Sequence, residues 1–217
     1  MAKGIVFDMD GVIFDTENLA VRTWTQAFTH FGIDLSEDLA KTTVGMSFED
    51  TCQYFIQHIH TPFDIEPIIK QRFDYTEQFI ETNGVPLKAG VFELLDFLKA
   101  KDYKIAVATS TVSQTARPYL DNAGLTRYFH TILCGDNIQR RKPEPDIYLM
   151  ACDHLNLAPA DCIALEDSPT GVQAAYRAGL KVIMVPDILQ PDKHVKNMLF
   201  AEIPNLHYVI DLLQTTE

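Results

Sequence analysis

Five short runs of apolar residues, rich in valine and isoleucine, recur along the chain, and turn-forming or polar residues follow each of them. They occupy residues 4–7, 104–108, 131–134, 162–165 and 181–185. Continuous apolar runs of this length are typical of strands that are buried on both faces of a parallel sheet. The pattern therefore predicts five buried strands.

A segment with helical spacing of apolar residues precedes each of the last four runs, at residues 91–101, 112–123, 146–157 and 170–178. Gly124 and Gly179 follow two of these segments, at the position where glycine commonly ends a helix. Strands that alternate with helices form a parallel sheet. The fold class predicted is therefore α/β, with a Rossmann-like parallel-sheet core.

The first and second strands are separated by about 96 residues, whereas a complete strand-helix-strand unit needs only about 30 residues. The additional segment has helical patterns only, with apolar stripes at residues 17–31, 48–59 and 65–82. We therefore predict an inserted helical cap domain at residues 16–87. The α/β core would comprise residues 1–15 and 88–217.

Composition narrows the class of protein further. The chain has 217 residues, of which 47% are hydrophobic, and 18 Lys and Arg face 30 Asp and Glu, for a net charge of −12. An acidic chain with no basic cluster lacks the charge that binds nucleic acid. No apolar run approaches the roughly 18 to 20 residues that cross a bilayer. We expect a cytoplasmic protein that binds neither nucleic acid nor membrane.

Polar side chains follow several of the predicted strands. Ligands bind outside the carboxyl ends of the strands in open parallel sheets, so residues in these positions are candidates for chemistry. Four carboxylates, a hydroxyl and a cation are predicted at this edge: Asp8, Asp10, Glu166, Asp167, Thr109 and Lys142.

Carboxylates that converge on one crevice repel each other unless a cation lies among them, and oxygen ligands are those that Mg²⁺ prefers. The pattern therefore implies a hard divalent ion. Asp8 and Asp10 are two residues apart, so one could bind the ion and attack while the other reaches a leaving group. Lys142 and Thr109 would supply a charge and a hydroxyl donor for a phosphate group.

Four motifs together resemble those of the haloacid dehalogenase-like superfamily. Residues 8–12 read Asp-Met-Asp-Gly-Val, and Thr109 lies at the position of the second motif. Residues 142–146, Lys-Pro-Glu-Pro-Asp, and residues 166–171, Glu-Asp-Ser-Pro-Thr-Gly, are similar to the third and fourth. All four occur in order, and the helical insert resembles the cap of the β-phosphoglucomutase and sugar-phosphate phosphatase branch.

The resemblance implies phosphoryl transfer through an aspartyl phosphate. Asp8 would attack phosphorus, while Asp10 would protonate the leaving group and then deprotonate the acceptor. Mg²⁺ would be bound by Asp8, the backbone carbonyl of Asp10 and Asp167, with Glu166 either a direct ligand or one step removed. The phosphate would be bound by Met9, Thr109, the amide of Ser110, and Lys142.

The branch contains both phosphatases and mutases, and the cap distinguishes them. The family's mutases have a histidine soon after the first motif and basic residues around a glycine in a cap loop. Here the corresponding positions contain Asn18 and the loop at residues 43–49, which has no basic residue. Gly45, Met46 and Phe48 of this loop are the predicted substrate contacts.

We therefore predict a Mg²⁺-dependent phosphatase of a small phosphomonoester, such as a sugar or polyol phosphate, acting as a monomer or weak homodimer. A β-phosphoglucomutase that interconverts β-glucose 1-phosphate and glucose 6-phosphate is the alternative, because Lys70, Arg72 or Lys88 could replace the missing cations. A more remote alternative is a non-enzymatic switch of the receiver type, phosphorylated on aspartate. Such a switch needs no cap, and its phosphorylated aspartate follows a middle strand.

Overall fold

The computed structural model describes residues 3–215. The chain divides into two compact units, a helical unit at Asp15–Pro86 and a core unit formed by the residues on either side of it. The sequence pattern predicted the insert at residues 16–87, so each boundary of the helical unit lies one residue earlier. Residues 1–2 and 216–217 of the predicted core lie outside the described residues.

The helical unit contains α1 (Thr16–His30), α2 (Glu37–Lys41), α3 (Phe48–His58) and α4 (Ile65–Asn83). Side-chain oxygens accept backbone N–H bonds at the start of three of them. Ser36 caps α2, Ser47 caps α3 and Asp64 caps α4, which satisfies N–H groups that have no partner within the helix.

Aromatic side chains form the centre of the helical unit. The rings of Trp24 and Phe28 on α1 and Phe55 on α3 lie 5.1 to 6.2 Å apart between centroids. Phe63 packs edge-on against Phe28 at 5.3 Å. Aromatic pairs in tilted and edge-on arrangements bury a large apolar area, so this cluster holds α1 and α3 together.

The core unit is built on one sheet of six parallel strands in the order β3-β2-β1-β4-β5-β6. The strands are β1 (Gly4–Phe7), β2 (Lys104–Ala108), β3 (Thr131–Leu133), β4 (Cys162–Glu166), β5 (Lys181–Met184) and β6 (Ala201–Glu202). The α/β class with a parallel sheet is therefore confirmed, and the order reverses at β1.

The strand register aligns the residues that follow the central strands. Phe7 at the end of β1 pairs with Val107 on β2 and Leu165 on β4. Asp8, one residue further on, therefore lies level with the ends of both neighbouring strands. This alignment brings the polar residues after β1, β2 and β4 to one edge of the sheet.

Helices of the core unit follow the strands: α5 (Val91–Ala100), α6 (Ser113–Asn122), α7 (Asp146–Leu155), α8 (Pro169–Arg177), α9 (Lys193–Lys196) and α10 (His207–Thr215). Helices α7 and α8 pack on one sheet face, where Val6, Ala106 and Ala164 point. The next residue on each strand is also buried and points to the opposite face, because side chains alternate along a strand.

Two further observations concern membrane-spanning helices and the cysteines. Within residues 3–215, no helix combines the length and the apolar character that a membrane span requires. Cys52, Cys134, Cys152 and Cys162 are all buried as free thiols.

Replacing Phe28 by alanine should destabilise the helical unit by about 3 to 5 kcal/mol, because a fully buried ring leaves a cavity that neighbours fill only in part. Urea unfolding of the full chain, followed by the fluorescence of its single tryptophan, Trp24, reports on this unit. Phe31, at the end of α1, is 44% exposed, so Phe31→Ala is the control and should change stability by less than about 0.5 kcal/mol. Equal effects of the two substitutions would contradict the assigned packing.

Candidate active site

The chain turns sharply after β1. Gly11 N–H donates to the carbonyl of Phe14 at 2.8 Å, and Ile13 N–H donates to that of Met9 at 2.9 Å. Gly11 has a φ of +76°, and a Cβ atom there would collide with the carboxylate of Asp167. Only glycine fits this turn, since it adopts positive φ without strain and leaves room for the carboxylate.

Lys142 precedes α7 and binds two carboxylates. Its Nζ donates to Oδ1 of Asp8, 134 residues away in the sequence, and to Oε1 of Glu166 at 2.7 Å. The Lys142 side chain is 6% exposed and that of Glu166 is fully buried. Charge-assisted bonds of this kind are short and strong where water is excluded, so Lys142 fixes the position of Asp8 relative to Glu166.

Glu166, the last residue of β4, accepts hydrogen bonds on both carboxylate oxygens. The hydroxyl of Tyr148 on α7 donates to Oε1 at 2.5 Å, in addition to the bond from Lys142. Oε2 accepts from the hydroxyl of Ser168 at 3.2 Å and from its backbone N–H at 3.4 Å. A Cβ atom on Gly171 in α8 would collide with the same carboxylate. Glu166 is therefore held rigidly from several sides.

Asp8, Glu166 and Asp167 form an acidic cluster in which each offers an oxygen, and the three oxygens lie within 4.8 Å of one another. All three are hard carboxylate donors of the type that binds divalent cations. With Asp10 included, four carboxylates accompany the ammonium of Lys142, which pairs with two of them. The cluster therefore has an excess of negative charge that a cation or a proton would offset.

The ionisation of the buried groups follows from this excess. Burial raises the pKa of Asp8 to about 8; Lys142 opposes this shift, and the charges of Glu166 and Asp10 add to it. Burial alone would lower the pKa of Lys142, but the charges of Asp8 and Glu166 hold it well above its ordinary value. Burial also raises the pKa of Tyr148, with Glu166 adding to the shift, so its hydroxyl remains a donor.

Asp10 lies beside the loop that follows β2. Its Oδ2 accepts a hydrogen bond from the Thr109 hydroxyl at 3.3 Å and another from the Thr111 hydroxyl at 2.6 Å. The backbone N–H of Thr111 donates to Oγ1 of Thr109 at 3.0 Å. The two threonines and Asp10 thus form one connected network.

The remaining residues singled out in the sequence lie as follows. Met9 is fully buried, and Ser110 is exposed in the loop after β2. Gly45, Met46 and Phe48 belong to the helical unit, where the Met46 and Phe48 side chains are each 41% exposed. The structure thus joins Asp8, Lys142, Glu166 and Asp167 in one cluster and Asp10 to Thr109.

Two residues that contact the predicted groups escaped the sequence analysis. Tyr148 lies on the apolar stripe of α7 and has the pattern of an ordinary core residue. Its hydroxyl could have indicated a polar contact, since a tyrosine on a buried stripe needs a hydrogen-bond partner for that group. Thr111 follows Thr109 by two residues at the end of β2, so a second hydroxyl at this edge was visible in the sequence but was not used.

Comparison with known proteins was made on the whole chain. The haloacid dehalogenase-like hydrolase profile matches residues 5–185. A phosphorylated carbohydrates phosphatase of Thermotoga maritima is 32% identical over 181 residues, 83% of each chain. The β-phosphoglucomutase of Bacillus subtilis is 29% identical over 189 residues, covering 84% of this chain and 83% of that one. A solved structure from Thermotoga maritima, described as a candidate β-phosphoglucomutase, is 28% identical with a TM-score of 0.84 over 100% of both chains.

Replacing Tyr148 by phenylalanine should lower the free energy of unfolding by about 1.5 to 3 kcal/mol, because the buried Glu166 carboxylate loses a hydrogen bond. The matched control is Tyr176→Phe on α8, where the side chain is 52% exposed, and a change below about 0.5 kcal/mol is expected. Urea unfolding of the two variants in parallel tests this assignment. A Tyr148→Phe variant as stable as the control would show that the bond contributes nothing.

Proposed function

Because this chain belongs to the haloacid dehalogenase-like hydrolase family, we propose that it is a phosphatase of small phosphomonoesters that acts through an aspartyl phosphate. The observation that carries the proposal is the pairing of Asp8 with Lys142 at the end of β1, with Asp10 bound by two hydroxyls on the other side of the same turn. A nucleophile, a cation for the phosphoryl group and an acid are thus adjacent.

The proposed reaction has two steps at phosphorus. An Asp8 carboxylate oxygen attacks, the ester P–O bond breaks, and Asp10 gives its proton to the departing alkoxide oxygen. Water then attacks the aspartyl phosphate, Asp10 accepts the proton of that water, and the bond between phosphorus and Asp8 breaks to release phosphate. Lys142 offsets charge on the phosphoryl oxygens, with Thr109, the amide of Ser110 and the turn at Met9 as further contacts.

We propose Mg²⁺ as the cofactor, bound by Asp8, Asp167 and the backbone carbonyl of Asp10. The fit rests on the donor set, which consists of hard oxygens, and on the carboxylate excess of the acidic cluster. Both oxygens of Glu166 already accept hydrogen bonds, which supports a role in holding Lys142 rather than in binding the ion directly. The bound ion would stabilise the negative charge of the phosphoryl group during its transfer.

We propose that the helical unit selects the leaving group, with the loop at residues 43–49 as its contact. Met46 and Phe48 are partly exposed and apolar, which suits a ligand of limited polarity. Phe48 also stacks on Trp24, with ring centroids 6.1 Å apart, and lies 5.7 Å from Phe73. Its ring therefore both packs the helices and presents a surface.

A mutase is the second candidate, since relatives described as β-phosphoglucomutases align over most of the chain. A mutase must also bind the distal phosphate of a sugar bisphosphate. Two of the three cations that could substitute for the missing basic residues have partners elsewhere: Arg72 lies over the Trp24 and Phe73 rings, and Lys88 pairs with Asp187 at 2.8 Å. This arrangement favours hydrolysis over phosphate return.

The purified protein with Mg²⁺ should release phosphate continuously from a panel of sugar phosphates that includes β-glucose 1-phosphate and fructose 1-phosphate. Asp8→Asn should lower the rate at least about a thousandfold, because the nucleophile is lost. Asp136→Asn is the control: this carboxylate lies at the same edge of the sheet but caps α6 through Ser113, so most activity should remain. Glucose 6-phosphate formed from β-glucose 1-phosphate without free phosphate would identify a mutase instead.

Mg²⁺ should stabilise the protein more at about pH 8 than at about pH 6. In the metal-free protein the raised pKa of Asp8, about 8, keeps a proton on the native state that the unfolded state has lost. The contribution of Asp8 to stability therefore falls as pH rises through this window. Because a bound cation must displace the proton, Mg²⁺ affinity should weaken by up to about tenfold per pH unit below 8.

Thermal unfolding with and without Mg²⁺ across this pH range measures the effect. Asp8→Asn should abolish the pH dependence, whereas Asp136→Asn should keep it. A stabilisation by Mg²⁺ that does not vary with pH in the wild-type protein would contradict the assigned ionisation of Asp8.

A further inference from the structure

Thr111 makes a shorter hydrogen bond to Asp10 than Thr109 does. The Thr111 Oγ1 to Asp10 Oδ2 distance is 2.6 Å, against 3.3 Å from Thr109 Oγ1. Hydroxyl donors to a carboxylate form their strongest bonds at distances of about 2.5 to 2.7 Å. Of these two threonines, Thr111 is therefore the stronger donor to the Asp10 side chain.

The hydroxyl of Thr109 cannot serve two acceptors at once, because a hydroxyl has one proton to donate. In the proposed reaction that proton goes to a phosphoryl oxygen. The backbone N–H of Thr111 occupies a lone pair of Thr109 Oγ1 at 3.0 Å, which leaves the Thr109 hydroxyl oriented for donation. Of the two threonines, Thr111 is then the one whose hydroxyl remains available to Asp10 when substrate is bound.

The loop that carries Thr111 is firmly anchored. The carbonyl of Thr111 accepts the backbone N–H of Gly135 at 2.9 Å, and a Cβ atom on Gly135 would collide with the carbonyl of Ser110. Ser113 follows Thr111 by two residues, and both its backbone N–H and its hydroxyl donate to the carboxylate of Asp136. The contacts of Gly135 tie the loop after β2 to the end of β3, so the hydroxyl of Thr111 has a defined position.

We propose that Thr111 is a positioning residue for the general acid. By donating to Oδ2, it orients the Asp10 carboxyl group and leaves the transferable proton on Oδ1, which then faces the leaving-group oxygen. The inference rests on the proposed function, since it presumes that Asp10 protonates a departing alkoxide. It adds that the orientation of this acid depends on a hydroxyl from the loop after β2 that does not itself touch the substrate's reacting atoms.

The test compares Thr111→Val, which keeps the branched shape without the hydroxyl, with Thr111→Ser, which keeps the hydroxyl. Each is assayed with Mg²⁺ on two esters. Fructose 1-phosphate releases a sugar alkoxide, a poor leaving group that needs a proton, whereas p-nitrophenyl phosphate releases p-nitrophenolate, which needs none. The parameter is kcat/KM, since it reports the steps up to the aspartyl phosphate. Ser113→Ala is the matched control, because it removes a hydroxyl two residues after Thr111, at the start of α6, that binds Asp136 rather than Asp10.

Thr111→Val should lower kcat/KM about 10- to 100-fold on fructose 1-phosphate and less than about threefold on p-nitrophenyl phosphate, as part of a general-acid contribution is lost. Thr111→Ser should restore most of the difference, and Ser113→Ala should leave the ratio of the two esters unchanged. Thr111→Ala provides the same comparison if circular dichroism finds Thr111→Val unfolded.

Equal losses on both esters, no loss on fructose 1-phosphate, or failure of Thr111→Ser to restore activity would each overturn the inference. Asp10→Asn separates it from the proposed function. If Asp10→Asn loses activity on fructose 1-phosphate alone while Thr111→Val does not, the phosphatase mechanism stands and only the role of Thr111 is wrong. A wild-type protein that hydrolyses neither ester would overturn both.

Discussion

The ammonium group of Lys142 lies between the buried carboxylates of Asp8 and Glu166, and the geometry of the site depends on this contact. Removing one partner from a buried ionic group leaves an uncompensated charge that costs several kcal/mol. Tyr148 and Ser168 add neutral donors to Glu166. Glu166 therefore does not depend on Lys142 alone, and Lys142 also pairs with Asp8. A site with more carboxylates than cations is thereby kept folded, with an excess of negative charge that a further cation would offset.

The parallel sheet is what brings these groups together. Strand β1 lies between β2 and β4, so the residues after it meet side chains from distant parts of the sequence. Two glycines allow the backbone to approach the carboxylates closely, because a Cβ atom at either position would collide. They are Gly11, beside Asp167, and Gly171 in α8, beside Glu166. Charge interactions strengthen as the distance between the groups falls. The glycines therefore contribute to the electrostatics of the site by allowing this close packing.

Sequence patterns predicted β1 and β2 to the residue, because continuous apolar runs leave few alternatives to buried strands. The two-residue β6 and the five-residue α2 were missed, because neither is a continuous apolar run and neither is long enough to show a helical period. Motif order predicted the charged residues that the structure brings together, Asp8, Lys142, Glu166 and Asp167. The contacts of Tyr148 and Thr111 were not predicted, since a hydroxyl's partner is decided by packing between elements far apart in the chain, and periodicity describes only the element itself.

In the proposed reaction a phosphatase and a mutase form the same aspartyl phosphate, so the difference between them must come from the acceptor. A sugar phosphate acceptor has to be held by cations, whereas water needs none. Three of the four Lys and Arg residues in the helical unit have partners there: Lys41 pairs with Glu37, and Arg22 and Arg72 lie over aromatic rings. Drawing one of these cations to a distal phosphate would break an existing contact, and that cost favours water as the acceptor.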